Sequence, residues 1–307
     1  MKRILITGAS GMVGKHLLKS LKSKKNILIS PTKKELNLLD KKLTIKYISR
    51  TKPDIIIHCA AIVGGILFNK NNQTRMLSEN LEINNNLINT AYNLGIKRLI
   101  NFSSSCVYPN TNNKHKEKEI FDGNYEKTNE GYALSKFFSM KLCKFINEDK
   151  KFKYKTLIPC NLYGPGDTFD PKRSHLISSA IIKVSSAKKN RDSTVVIWGS
   201  GKVKREFLFC SDLANFVKFS MHNFNKMPDF INVGTKTNLS VLDYYKLICK
   251  TVNYYPKFKF DKSKPDGVYQ KKLDTSLQNK LKWKNKVDIS TGLKQTYNFY
   301  LKHYAKN

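Results

Sequence analysis

An α/β fold built on a doubly wound parallel sheet, with a smaller and less regular C-terminal lobe, is predicted by three features of the sequence. Short β-branched runs alternate with longer helical patterns through the first half, the rhythm of parallel strands joined by crossover helices. A glycine-rich turn, "TGASGMVG", lies where the first strand meets the first helix. After about Tyr163 the rhythm breaks at "GPGDTFDPKRSH", rich in the Gly, Pro and Asp of loops.

In chain order, "RILIT" is a strand, a helix runs from Gly11 to about Ser23, and "NILIS" is the second strand. "DIIIHCA" is apolar on both faces, as a buried parallel strand is. Leu81, Leu87, Ile88, Ala91 and Leu94 fall at helical spacing over residues 80–94, and Gly95 stops that helix. "KRLINFSS" reads as a strand, "GYALSKFFSMKLCKFINE" as an amphipathic helix, "KTLIP" as a further strand, and a last helix lies near 290–304. Residues 1–163 are expected to form one domain, to which about 212–235 return. Residues 164–211 and 236–307 then make the second lobe.

The 307 residues are 40% hydrophobic, enough for a sizeable core despite a mean hydropathy of -0.47. Lys and Arg number 56 against 23 Asp and Glu, a net charge of +33. The lysines are spread along the chain with many asparagines, as in "KNNQTRMLSENLEINNN", and no basic arm interleaved with aromatics appears. Spread charge of this kind gives only non-specific phosphate contact, so no specific nucleic-acid partner is expected. The six cysteines form no CxxC pair and no metal-ligand spacing, which predicts reduced thiols in the cytoplasm and no metal site. Strand-like residues begin at Arg3, so no signal peptide is expected, and "DIIIHCAAIVGGI" is too short to span a bilayer.

Gly8, Gly11 and Gly14 stand between strand and helix in the spacing G-x-x-G-x-x-G. Gly8 suits a tight turn, Gly11 lets a pyrophosphate approach the backbone, and Gly14 allows helix and strand to pack closely. The helix N-terminus offers free N–H groups to phosphates. This predicts a Rossmann-type dinucleotide-binding domain over 1–163, with Gly8, Ala9, Ser10, Gly11, Met12, Val13 and Gly14 against the cofactor. Near the end of the second strand the chain offers Thr32, Lys33 and Lys34 rather than an acid. A cation there suits a ribose 2′-phosphate, hence NADPH.

"YALSK" puts Tyr132 and Lys136 four residues apart on one helix face. An ammonium beside a phenol lowers its pKa from about 10, and Tyr132 is expected to pass a proton to a carbonyl oxygen as hydride reaches its carbon. Lys136 is placed to hold the nicotinamide ribose, and Ser104, at the strand end "NFSSSCVYP", to share the substrate oxygen.

With these residues in place the chain resembles the extended short-chain dehydrogenase/reductases. "AAIVGGI", "SSCVYP", "TNEGYALSK", "NLYGPGD", "SHLI", "WGSGKVKREFL" and "KPDGVYQKKLD" are similar to motifs of the GDP-L-fucose synthase group. The resemblance implies a GDP-linked 4-keto sugar as substrate, NADPH as cofactor and a homodimer formed through the helices at 80–94 and 131–148. It places Ser104, Tyr132 and Lys136 on the reductase triad, and Cys106 and His175 on the two epimerisation residues. Cofactor contacts fall on the glycine loop, Lys33, Ser103, Ser104, Ser105, Lys136, Pro159, Cys160, Asn161, Leu162 and His175. Nucleotide-sugar contacts fall on Lys183, Trp198, Arg205, Asp266 and Lys271. The chain departs from the group's pattern at Ser10, where Arg is frequent, and at Gly131 and Ser178, where Pro is common.

Reduction of a 4-keto sugar requires no thiol. Epimerisation requires more, because the C4 ketone acidifies C3 and C5, and inversion takes a base on one face and an acid on the other. A thiol of pKa about 8.5 and an imidazole of about 6.5 both exchange protons near neutrality. A serine hydroxyl in the place of Cys106 cannot.

Overall fold

The computed structural model describes residues 1–111, 113–121, 123, 125–264 and 266–305. The first half runs β1 (Lys2–Thr7), α1 (Met12–Leu21), β2 (Asn26–Ile29), α2 (Lys41–Thr51), β3 (Ile55–His58), α3 (Ile66–Asn71), α4 (Gln73–Asn93), β4 (Arg98–Phe102), β5 (Lys114–His115), α5 (Glu130–Ile146), β6 (Lys153–Pro159) and β7 (Asn161–Tyr163). The second half runs α6 (Leu176–Asn190), β8 (Thr194–Trp198), β9 (Lys204–Phe209), α7 (Cys210–His222), β10 (Phe230–Val233), β11 (Asn238–Ser240), α8 (Val241–Val252), β12 (Lys257–Asp261), β13 (Gln270–Leu273), α9 (Ser276–Lys280) and α10 (Ile289–His303).

Among the described residues, six strands pair in parallel in the order β10-β6-β4-β3-β1-β2. Alternation along each strand divides the core between two faces. Ile4, Ile6, Ile55, Ile57 and Ile100 point to the face covered by α1 and α7. Leu5, Ile56 and Leu99 point to the face covered by α2, α4 and α5. Each side chain so withdrawn from water contributes about 1.5–3 kcal/mol. The doubly wound α/β sheet predicted above is therefore present, and α7 and β10 pack onto it from the second half of the chain. A separate core, built on Ile177, Ile181, Ile197, Phe207, Tyr244 and Leu293, fills the second lobe.

Two elements differ from expectation. Helix α4 begins at Gln73, seven residues before the expected start at 80. Its first turns carry only Met76 and Leu77 as apolar residues, Met76 fully buried, and Gln73 and Asn80 tie them to the loops at Lys127 and Ile62. Helix α2 was not foreseen: "KKLTIKYISRT" buries only Thr44 and Ile48, and Asp40 caps it by accepting from the Leu43 N–H.

Candidate active site

From β1 the chain goes to β2 on one side and returns to β3 on the other. A crevice therefore opens at the carboxyl ends of β1 and β3, the ordinary ligand site of such a sheet. A cavity of about 920 Å³ occupies it and extends into the second lobe. Gly8 adopts a φ of +67°, and a Cβ on it would stand 2.8 Å from the Ala60 nitrogen. Gly11 faces open space apart from the Gly8 carbonyl oxygen at 3.3 Å, and no side chain caps α1. The first turn thus keeps its N–H groups for a ligand, and the backbone can be approached closely. Ser103, at the end of β4, has a buried hydroxyl without a partner and also lines the cavity. These features fit the pyrophosphate and ribose of a dinucleotide.

At the adenosine end, Lys33 lines the cavity. The neighbouring acid is turned away: the Thr32 N–H and hydroxyl donate to the Glu35 carboxylate at 2.7 and 2.9 Å. Those bonds hold the Glu35 carboxyl below its usual range. The charge left facing the cavity in this loop is that of Lys33.

Ser104, Cys106, Tyr132, Lys136 and His175 line the same cavity. The Ser104 hydroxyl lies 3.3 Å from the Cys106 sulfur and accepts from the Cys106 N–H at 3.3 Å. The Lys136 ammonium donates to the Phe102 carbonyl at 2.9 Å and lies 5.7 Å from the centre of the Tyr132 ring. Burial lowers Lys136 to about 8. Burial also pushes the Tyr132 phenol up, with Cys106 adding to the effect. This corrects the expectation of an acidified phenol. Withdrawing a phenolate from water costs more than the nearby ammonium returns, since that ammonium is itself buried and engaged by a carbonyl. Tyr132 accordingly keeps its proton at neutral pH, as a proton donor must.

His175 stands at the N-terminal boundary of α6, makes no side-chain capping bond, and faces the cavity near Asp167. Burial raises the Asp167 carboxyl, and the charge of His175 opposes that shift. Asp167 accepts from the Ser178 hydroxyl at 2.6 Å, so the residue that departs from the group's Pro holds the carboxylate beside the imidazole.

Pro159, Cys160, Asn161 and Leu162 line the cavity, as do Ser10, Met12, Val13, Gly14, Arg205 and Lys271. The Arg205 guanidinium donates to the carbonyls of Val268 and Asp266, and Lys271 pairs with Arg205 across β9 and β13. Ala9 and Ser105 do not line it. Ala9 is buried where α1 crosses the loop, against Gly14, and Ser105 turns inward at the start of a 3-10 turn. Lys183, Trp198 and Asp266 also lie outside the cavity lining. The exposed Trp198 ring has Lys183 at 4.8 Å and Lys264 at 5.8 Å, and Asp266 accepts from the Ser200 N–H to brace the turn after β8.

Sequence reasoning did not single out Asn129, whose amide nitrogen contacts the Cys106 sulfur at 2.6 Å. It also missed a buried chain from Thr7 through His58 and Asn84 to the Ser135 carbonyl. That chain ties β1, β3 and α4 to the turn of α5 carrying Tyr132 and Lys136. Burial, with Lys136 adding, lowers His58 to about 3, so the ring is neutral and serves as a linker.

Residues 4–234 match the model of the NAD dependent epimerase/dehydratase family. The chain belongs to that family. It is 46% identical to a GDP-L-colitose synthase of Yersinia pseudotuberculosis, covering 97% of this chain and 98% of the relative. It is 37% identical to a GDP-L-fucose synthase of Azorhizobium caulinodans, covering 98% and 96%. Among solved structures, a GDP-6-OMe-4-keto-L-xylo-heptose reductase from C. jejuni superposes with a TM-score of 0.90 at 26% identity, covering 98% of each chain. A GDP-L-fucose synthetase from Naegleria fowleri bound to NADP gives 0.89 at 26% identity, covering 99% of this chain and 94% of that one. The resemblance read from the motifs is thus to the right family, which is one of enzymes.

Proposed function

We propose that the protein is an NADPH-dependent epimerase–reductase of a GDP-linked 4-keto sugar, converting GDP-4-keto-6-deoxy-D-mannose to GDP-L-fucose. The observation that carries this reading is a thiol, Cys106, and an imidazole, His175, facing one cavity with a proton-holding tyrosine and a buried lysine. A reductase alone has no use for the first two. Lys33 and the glycine loop would hold NADPH, which when bound supplies a hydride for C4. Tyr132 gives its proton to the C4 oxygen, and Lys136 orients the ribose. Cys106 and His175 move protons at C3 and C5, while Ser104 and Tyr132 donate to the enolate oxygen formed between steps. Arg205 and Lys271 suit the diphosphate. Residues 1–163 with about 212–235 serve the dinucleotide, and 164–211 with 236–307 serve the GDP-sugar. Lys183, Trp198 and Asp266, outside the cavity lining, are assigned to the nucleotide end of the same substrate.

The likeness to GDP-L-colitose synthase supports a second reading. Colitose lacks the C3 hydroxyl, so its 4-keto precursor is inverted at C5 alone. Reduction at C4 and proton transfer at C5 would then use the same residues, and no proton transfer is needed at C3. Loss of NADPH absorbance should accompany GDP-4-keto-6-deoxy-D-mannose, with GDP-L-fucose as product. Turnover of the 3-deoxy analogue alone would replace the first reading by the second, and no NADPH oxidation with either would leave a non-catalytic dinucleotide binder.

A homodimer is part of this reading. Half-buried Leu81 on α4, with half-buried Leu134 and Phe138 and exposed Phe145 on α5, gives these two helices apolar residues that a second copy would cover. Its free cysteines support a reducing compartment, the cytoplasm, as its setting. No described helix is long and apolar enough to cross a membrane. A sedimentation run showing only 35.3 kDa particles at micromolar concentration would contradict the dimer.

A further inference from the structure

We infer that Asn129, held by Asn69, is a positioning residue for the Cys106 sulfur. The Asn69 amide nitrogen donates to the Asn129 side-chain oxygen at 2.7 Å, and the Asn129 nitrogen faces Cys106 Sγ at 2.6 Å. The direction of the first bond fixes that of the second. With its oxygen occupied by Asn69, Asn129 presents N–H to the sulfur, and that contact fixes where the sulfur sits in the cavity. Asn69 is 5% exposed, so this donor is not exchanged readily for water.

The segment bearing Asn129 is clasped to the junction of α3 and α4. Gln73 accepts from the Gly131 N–H at 2.8 Å and donates to the Lys127 carbonyl at 2.7 Å. A proline at 131, common in the related group, has no N–H for the first bond, and a Cβ there would stand 2.5 Å from the Gln73 carbonyl oxygen. The clasp thus depends on the glycine of this chain. The other end of α3 reaches the histidine. The Gly65 N–H donates to the Arg173 carbonyl at 3.0 Å, and a Cβ on Gly65 would lie 2.6 Å from the Ser174 carbonyl oxygen. One short helix is therefore tied at one end to the segment that bears Asn129 and at the other to the residues just before His175.

The inference rests on the epimerase reading for its purpose but not for its test. Site-resolved alkylation of Cys106 by iodoacetamide, followed by peptide mass spectrometry from neutral to mildly alkaline pH, reads the thiolate without substrate. Cys106 is partly exposed, so the reagent reaches it. Asn129→Ala should slow alkylation at neutral pH by about ten-fold or more, the scale of a hydrogen bond to a charged group. A packing role predicts the opposite, because truncation widens access to the sulfur. Asn69→Asp should slow alkylation more than Asn69→Ala. A carboxylate there accepts from Asn129, turns the amide round and presents oxygen to the sulfur. NADPH affinity and melting temperature report whether each variant is folded. Alkylation of folded Asn129→Ala at the native rate would overturn the inference. Deuterium exchange into the sugar is the separate arm: if native protein shows none, the epimerase reading falls while the alkylation result stands.

Discussion

Tyr132→Phe should lower kcat for NADPH oxidation by roughly 10²–10⁴, the contribution of a positioned general acid, with little change in NADPH affinity. The ring remains to fill its buried place on α5, so packing is kept. The Lys136 bond to the Phe102 carbonyl does not involve the phenol, so the ribose site is kept as well. The pH dependence separates the two residues. Burial lowers Lys136 to about 8, so its charge is present below that pH and lost as pH rises through it. NADPH affinity should therefore weaken above about pH 8 in both native and Tyr132→Phe protein. Tyr132 is raised, so loss of its proton does not limit reduction in that range. Stopped-flow reduction with fluorescence titration of NADPH checks both, and near-normal turnover of Tyr132→Phe would remove the tyrosine from the chemistry.

Cys106→Ser should nearly abolish solvent exchange at C3 and C5 while leaving the fold intact, since the change is close to isosteric. Serine in that place still accepts from Asn129 and still lies beside Ser104. It lacks the acidity to exchange a carbon-bound proton near neutrality. In D₂O with substrate and NADP⁺, where no reduction drains the ketone, native protein should place deuterium on both carbons and the variant on neither. His175→Asn should also impair inversion, but at a different step, so partial exchange without inverted product is its expected signature. Exchange at the native rate in Cys106→Ser, with inverted product, would make the thiol a packing residue.

What the sequence disclosed and what it withheld divide along range. The glycine loop, the buried strand "DIIIHCA" and the Tyr–Lys pair are local: their spacing alone sets the geometry, and the structure places them at one cavity. Helix α2 was illegible because its stripe is only two buried residues wide and its cap lies in a lysine-rich run. Ala9 and Ser105 sit inside motifs whose neighbours face the cavity, yet the turn of the chain buries them. Asn129 reaches its sulfur 23 positions away and its support 60 away, a contact that no periodicity announces. The direction of the Tyr132 shift was misread for a related reason. The proximity of Lys136 follows from i, i+4 spacing, whereas burial of the phenol follows from tertiary packing.

The central claim is that one cavity performs inversion and reduction on the same sugar. The most direct measurement is the product formed by native protein from GDP-4-keto-6-deoxy-D-mannose and NADPH in D₂O, read by proton NMR. The account predicts GDP-L-fucose with deuterium at C3 and C5 and protium at C4, since the hydride comes from the cofactor and the other two hydrogens from solvent. A 4-reduced product that retains protium and the original configuration at both C3 and C5 would contradict it.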